Sequence, residues 1–518
     1  MNTKENTKIY KVLSKLSSIK WSIALKSILT GLVAGFLVVL YRLVIEFGTE
    51  KAVEIYAYLR QYPLMILPWV ILIAAAGLFI AWLVKLEPMA TGSGIPQVEG
   101  LLLYGLKIRS YSVLIVRFIA GTISAFFGLS LGREGPSIQI GASGSQAIAK
   151  RVSKNKLEEN YLITGGAAAG LAAAFNAPLS GIIFALEEVH RSFSGLILIA
   201  ATTSALTADG VSKYFLGLKP VLSFSATPIL PRSLYVWLIP LGILSGLIGA
   251  VLNKSLLKFQ LAYRKLPFYL RPCIALFIAL LCGLFIPVVL GGGLNLIQIA
   301  EKAQSGIAAI ALYLIIKFIF TCTSFGSGAP GGIFMPILAI GALTGGLLGL
   351  VSLQLGLPAE YIPNFAVCAM AGALSGSVKA PVTSILLIVE MTGSITHMLP
   401  IAACSFIALF ISDVLKTTPI YEALLERLVE NDKDVKNHKL GGLIEVSVEM
   451  GSVVADKIVR DIMWPQGILL VGIRRGNLEI VPNGNTKILP GDYLVIMSTE
   501  NTYKDLNINI RDLCHAKM

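Results

Sequence analysis

The sequence predicts an all-α polytopic membrane protein with a small α+β domain behind it, and three observations lead to that fold class. Of 518 residues, 55% are hydrophobic and only 14% are charged, where soluble chains carry about a quarter charged residues. Apolar stretches of the length a helix needs to cross hydrocarbon, about 20 residues, recur from residue 23 almost to residue 416. Beyond about residue 425 these runs give way to short alternating segments between Gly, Asn and Pro turns, the pattern of a small sheet.

The first segment, residues 1–22, is basic and amphipathic and lacks the small-residue cleavage site of a signal peptide. Lys4, Lys8, Lys11, Lys15, Lys20 and Lys26 outweigh Glu5, which predicts a cytoplasmic N-terminus by the positive-inside rule. The membrane domain is expected over residues 23–430. Its clearest spans are "LMILPWVILIAAAGLFIAWLV" (64–84) and "LYVWLIPLGILSGLIGAVL" (234–252). The remaining apolar runs are interrupted by Gly, Pro or a lone charge, which is tolerated only in helices buried in protein or lining a cavity. Short, broken helices in a thick bundle are therefore expected, with the number of crossings left open.

The net charge of +13 is expected to mark faces beside anionic lipid rather than a nucleic-acid partner. The six cysteines show no Cys-x-x-Cys spacing and only four histidines are present, so the cysteines read as core residues and neither a metal nor a cofactor is expected. With no nucleophile–His–acid arrangement, an enzyme is disfavoured.

The chain also resembles itself. "FNAPLSGIIFALEEV" (175–189) aligns with "VKAPVTSILLIVEMT" (378–392), pairing Ala177 with Ala380, Pro178 with Pro381 and Glu187 with Glu390, 203 positions apart. "GREGPSIQIGA" aligns with "GIFMPILAIGA" 200 positions on. Two matches in the same order predict a duplication, with halves over about 23–225 and 230–425 and a substrate site at their interface. A charged linker (431–442) leads to a domain over 443–518. There "LIEVSVE" (443–449), "GILLVGIRR" (467–475), "LEIVP" (478–482) and "YLVIMST" (493–499) are predicted strands, accompanied by one or two helices.

Three glycine-rich elements, "GSGIP" (92–96), "GREGP" (132–136) and "GIFMP" (332–336), each place Pro four residues after Gly at the head of an apolar run. Proline is accepted in a first helical turn, so each element is expected to be a helix N-terminus within the membrane. Unbonded N–H groups and the positive end of the helix dipole make such a terminus an anion site. Glycines that merely allow tight helix packing are the alternative.

With these three motifs in this order, and Tyr421 in "TPIYEALLERL", the chain resembles the CLC family of chloride channels and proton-coupled chloride transporters over about residues 20–430. The tail "VGIRRGNLEIVPNGNTKILPGDYLVIMS" is similar to the C-terminal module of TrkA-type regulatory domains. The resemblance implies two inverted repeats, a homodimer with a separate pathway in each subunit, and a prokaryotic cell membrane with both termini cytoplasmic. Ser93 and Tyr421 would offer hydroxyls to chloride, and Ile333, Phe334 and Gly135 would complete the chloride-binding set, the first two through backbone N–H groups. Glu134 would be the gating carboxylate that competes with chloride and carries a proton, and Glu188 the internal proton relay. Glu187, matched to Glu390, is expected to be structural, as is Arg133, while Glu99 and Arg117 are expected to pair. A chloride/proton exchanger is thus the leading expectation. A gated chloride channel, or a ligand-sensing protein controlled by a small molecule at its tail, is the alternative.

Overall fold

The computed structural model describes residues 3–218, 220–222, 228–302, 305–431, 443–465, 467–475, 478–498, 510 and 513–514. The first half of the membrane domain comprises α1 (Thr3–Gln61), α2 (Ile66–Leu86), α3 (Ile95–Tyr104), α4 (Ser110–Phe126), α5 (Glu134–Val152), α6 (Lys156–Phe175), α7 (Pro178–Phe184) and α8 (Gly195–Leu216). The second repeats the series in α9 (Leu238–Arg264), α10 (Leu270–Phe285), α11 (Leu294–Lys302), α12 (Ile307–Gly326), α13 (Phe334–Leu353), α14 (Ile362–Val378), α15 (Pro381–Thr392) and α16 (Met398–Val414), and α17 (Ile420–Asn431) follows. Among the described residues eight helices are long and apolar enough to span a membrane, while α4, α10 and α15 are apolar but shorter. The basic N-terminal segment continues into the first span as a single helix, because no proline interrupts the chain before Pro63.

The two halves meet through matched contacts. Gly132 and Gly332 form an antiparallel bridge, each N–H donating to the other's carbonyl at 2.6 and 2.7 Å. The Glu390 carboxylate accepts from the N–H groups of Leu179 (3.0 Å) and Ser180 (2.7 Å) and from the Ser180 hydroxyl. Reciprocally, Glu187 accepts from the N–H groups of Val382 (3.3 Å) and Thr383 (2.8 Å) and from the Thr383 hydroxyl (2.6 Å). Each half's carboxylate therefore caps the proline-led helix of the other, which explains why this pair of acids repeats in the sequence. Glu390→Ala should remove one whole cap at a cost of about 1–3 kcal/mol. A lower thermal midpoint in detergent is the expected result; an unaltered midpoint would contradict the capping role.

Helices α6 and α14 form the centre of the domain. Every residue from Tyr161 to Phe175 and from Asn364 to Val378 is buried. Small residues permit this enclosure: a Cβ on Gly170 would lie 2.9 Å from the Ile138 Cα of α5. Both helices end in the left-handed region, at Asn176 and Lys379. The boundary expected near 225–230 falls partly on residues outside those described, as does the linker beyond Asn431.

The tail contains β1 (Leu443–Ser447), β2 (Ile468–Arg475), β3 (Leu478–Ile480) and β4 (Tyr493–Ser498), in one antiparallel sheet of order β1-β4-β2-β3. Ile510 and Cys514, helical in conformation, pack into its core. Arg475 donates two hydrogen bonds of 2.8 Å to the buried carboxylate of Asp492. That bidentate pair ties the arginine-rich strand to the Pro-Gly-Asp turn.

Candidate functional site

The three glycine–proline motifs open three helices. Helix α3 starts beyond Gly94, whose φ of +98° demands glycine, with Pro96 in its first turn. A Cβ on Gly94 would also come within 2.9 Å of the Gln139 Cβ. Helix α5 starts at Glu134 after Arg133, and α13 at Phe334 after Ile333. Backbone contacts draw the three starts together: the Gly132–Gly332 bridge joins α5 to α13, and the Gly331 N–H donates to the Gly92 carbonyl at 3.0 Å. Gly135 lies so close to Ser93 that a Cβ would fall 2.6 Å from the serine oxygen. First-turn N–H groups have no acceptor within their own helix, and here they converge at depth.

Ser93 is 2% exposed and Tyr421, in the first turn of α17, is 0% exposed. Their hydroxyls lie side by side, and neither has a hydrogen-bond partner among the described residues. Ile333 and Phe334 are buried at the N-terminus of α13, with the Phe334 ring set 6.1 Å from that of Phe175 and 6.3 Å from that of Phe184. Glu134 is 1% exposed, and both carboxylate oxygens lack hydrogen-bond partners of good geometry. The amides of Glu134 itself and of Met335 are the donors that bear on it. The structure thus brings Ser93, Glu134, Gly135, Ile333, Phe334 and Tyr421 into one buried site of hydroxyls and helix N-termini. A carboxylate is the one anionic side chain within that group.

Arg133 does not neutralise Glu134 at close range. The guanidinium lies 3.9 Å from the Glu134 carboxylate and instead donates to Glu46 of α1, which also accepts from Arg42 at 3.1 Å. Arg42 in turn donates to the Asn176 side chain at 3.1 Å. The structural role expected for Arg133 is therefore directed away from its sequence neighbour.

Glu188 occupies a second cluster. A π-turn over Ala185–Val189, closed by the His190 N–H donating to the Ala185 carbonyl at 2.9 Å, turns Glu187 toward α15 while Glu188 stays 95% buried, with 5% exposed. Such single-turn π segments recur at functional sites. Arg191, held at φ +53°, donates to the Glu188 carbonyl at 3.3 Å and lies 3.8 Å from Glu99 and 3.7 Å from Glu422. Tyr421 lies within electrostatic reach of both Glu134 and Glu188. From the tail, Arg474 donates to the Ser194 hydroxyl at 2.7 Å, three residues beyond Arg191.

The expected Glu99–Arg117 pair is replaced by other contacts: Glu99 faces Arg191, and Arg117, 0% exposed, donates to Gln139 (2.6 Å) and to the Gly92 carbonyl. Arg117 thereby fixes the loop that ends in Ser93. In the other half Lys317, also 0% exposed, donates to the carbonyls of Val289 (2.9 Å) and Gly291 (2.6 Å). These two cations were findable from sequence, since they are lone charges in apolar helices separated by the same 200 positions as GREGP and GIFMP.

Comparison with known proteins follows the same division of the chain. The family described as voltage gated chloride channel matches residues 76–413, and the TrkA-C domain matches residues 443–507. A protein of Vibrio parahaemolyticus named H(+)/Cl(-) exchange transporter ClcA is 34% identical over 435 residues, 80% of this chain and 92% of that one. Its namesake from Salmonella typhimurium is 35% identical over 370 residues, 69% of this chain and 77% of the other. Among solved structures, a slow cyanobacterial Cl-/H+ antiporter superposes with a TM-score of 0.74 at 29% identity, covering 79% of this chain and 99% of its own. A CLC-type fluoride/proton antiporter shares the fold, with a TM-score of 0.63 at 23% identity, over 76% of this chain and 95% of its own.

Proposed function

The chain belongs to the voltage-gated chloride channel family, and from that premise we propose that it is a secondary active transporter, not an enzyme, that exchanges chloride for protons. The observation that carries this reading is Glu134, a buried carboxylate set among the N–H groups of two helix termini with its nearest cation 3.9 Å away. Ionised, it is an anion in a site built for anions and blocks the path of chloride. Protonated, it loses that hold, and its side chain leaves with the proton. Relatives named as chloride/proton exchangers support the same reading.

In this mechanism the Ser93 and Tyr421 hydroxyls and the N–H groups of Gly135, Ile333 and Phe334 replace the water around chloride. They do so without a full positive charge that would hold the ion too tightly for rapid release. Glu188 receives protons from the opposite side to Glu134. A titratable group at that depth favours the exchanger over a gated channel, which needs no internal proton acceptor. The protein would act as a homodimer in a prokaryotic cell membrane, both termini cytoplasmic, each subunit with its own pathway. A small ligand sensed by the tail would act through the Arg474–Ser194 hydrogen bond, which reaches the segment that follows Glu188.

Reversal potentials test exchange against channel activity. With chloride held symmetric, a pH gradient should displace the reversal potential of an exchanger and leave that of a channel at zero. Ser93→Pro should move relative permeation from chloride toward nitrate by about five- to tenfold, the worth of one hydrogen bond. Unchanged relative flux of the two anions would remove Ser93 from the site.

A further inference from the structure

We propose that a groove between the N-terminal end of α4 and the C-terminal end of α5 binds the phosphate head group of an anionic phospholipid. The groove, of about 460 Å³, is lined by Arg109, Tyr111, Ser112, Lys150 and Arg151 among others, with no acidic side chain. Arg109 is held in place by an ion pair to Glu87 (3.0 Å) and a hydrogen bond to the Leu86 carbonyl (3.1 Å), yet its side chain remains 70% exposed. Nearby cations are neutralised, Lys26 by Glu158 at 2.6 Å and Lys156 by Glu159 at 2.8 Å. Among the described residues no carboxylate lies within ion-pair distance of Lys150 or Arg151. A helix C-terminus favours cations such as these two, but does not account for their convergence with Arg109 around a recess.

The groove opens onto apolar surface. Tyr111, Ile115 and Ile119 are 60%, 55% and 39% exposed, and their spacing of four residues forms one stripe along α4. A diacyl lipid suits this arrangement, its phosphate among the cations and its chain along the stripe. The Lys26–Glu158 pair sets the α5–α6 connector on the same face as the beginning of the first span, the face read as cytoplasmic, where anionic lipids attract basic clusters.

Native mass spectrometry of the intact protein, released from nanodiscs of phosphatidylcholine and phosphatidylglycerol, tests the site. The parent should retain phosphatidylglycerol, and Lys150→Gln/Arg151→Gln should weaken retention about tenfold or more, two surface charges being lost. Lys254→Gln/Lys258→Gln, which removes equal charge from α9, should retain lipid like the parent, and both doubles should keep the parent's thermal midpoint. Equal loss in the two doubles, or loss in neither, would overturn the proposal. Displacement of the lipid by excess inorganic phosphate would overturn it too, assigning the groove to a soluble anion.

Discussion

Glu134→Gln is expected to keep or raise chloride flux while lowering proton movement by about a hundredfold or more, the range over which a positioned acid or base acts. The amide has nearly the shape of the carboxylate, so the N-termini of α5 and α13 remain in place around it. It carries no charge, so it no longer competes with chloride for their N–H groups. Each helix end can hold an anion by up to about 2 kcal/mol in a partly buried setting, and removing the tethered competitor frees that attraction for the permeant ion. The amide also cannot cycle a proton. Chloride and proton fluxes recorded together in liposomes check this result; a mutant that still moved protons up their gradient would remove Glu134 from the mechanism.

Glu188→Gln should separate the two fluxes in the same sense, by a different route. Its carboxylate lies outside the group formed by Ser93, Gly135, Ile333, Phe334 and Tyr421, so the anion path is expected to survive, with chloride moving at the parent's rate or somewhat more slowly. Proton uptake driven by chloride should fall below about a hundredth of the parent's, because the amide that replaces the carboxylate cannot take up and release a proton. Glu187→Gln is the internal control. Its amide oxygen can still accept from the Thr383 N–H of α15, now 2.8 Å from the carboxylate, so coupling should persist with a modest loss of thermal stability. Parental proton transport in Glu188→Gln would place the relay elsewhere.

Much of this site was legible because helix starts leave a local signature. Glycine four residues before proline marked the N-termini of α3, α5 and α13, and the repeat of Glu187 by Glu390 marked Glu187 as structural, though not as the cap of a helix in the other half. The partners of the charged residues were not legible, because they are decided by packing between distant segments. Arg133 lies beside Glu134 in sequence but donates to Glu46, 87 positions away. Arg117 turns to Gln139 and Gly92 rather than to Glu99. In the tail, period-two alternation located all four strands within one or two residues. Alternation says which face a residue occupies, not which strand lies next to it, so the pairing of β1 with β4 rather than β2 came only from the fold.

The proposed exchange requires that chloride movement drive protons through this protein. The most direct test reconstitutes the intact chain in liposomes and imposes a chloride gradient alone, with equal pH on both sides. Chloride running down its gradient should drive protons in the opposite direction, generating a pH difference that a protonophore collapses and that Glu134→Gln fails to produce. Chloride flux with no accompanying proton movement would contradict the account and identify a channel.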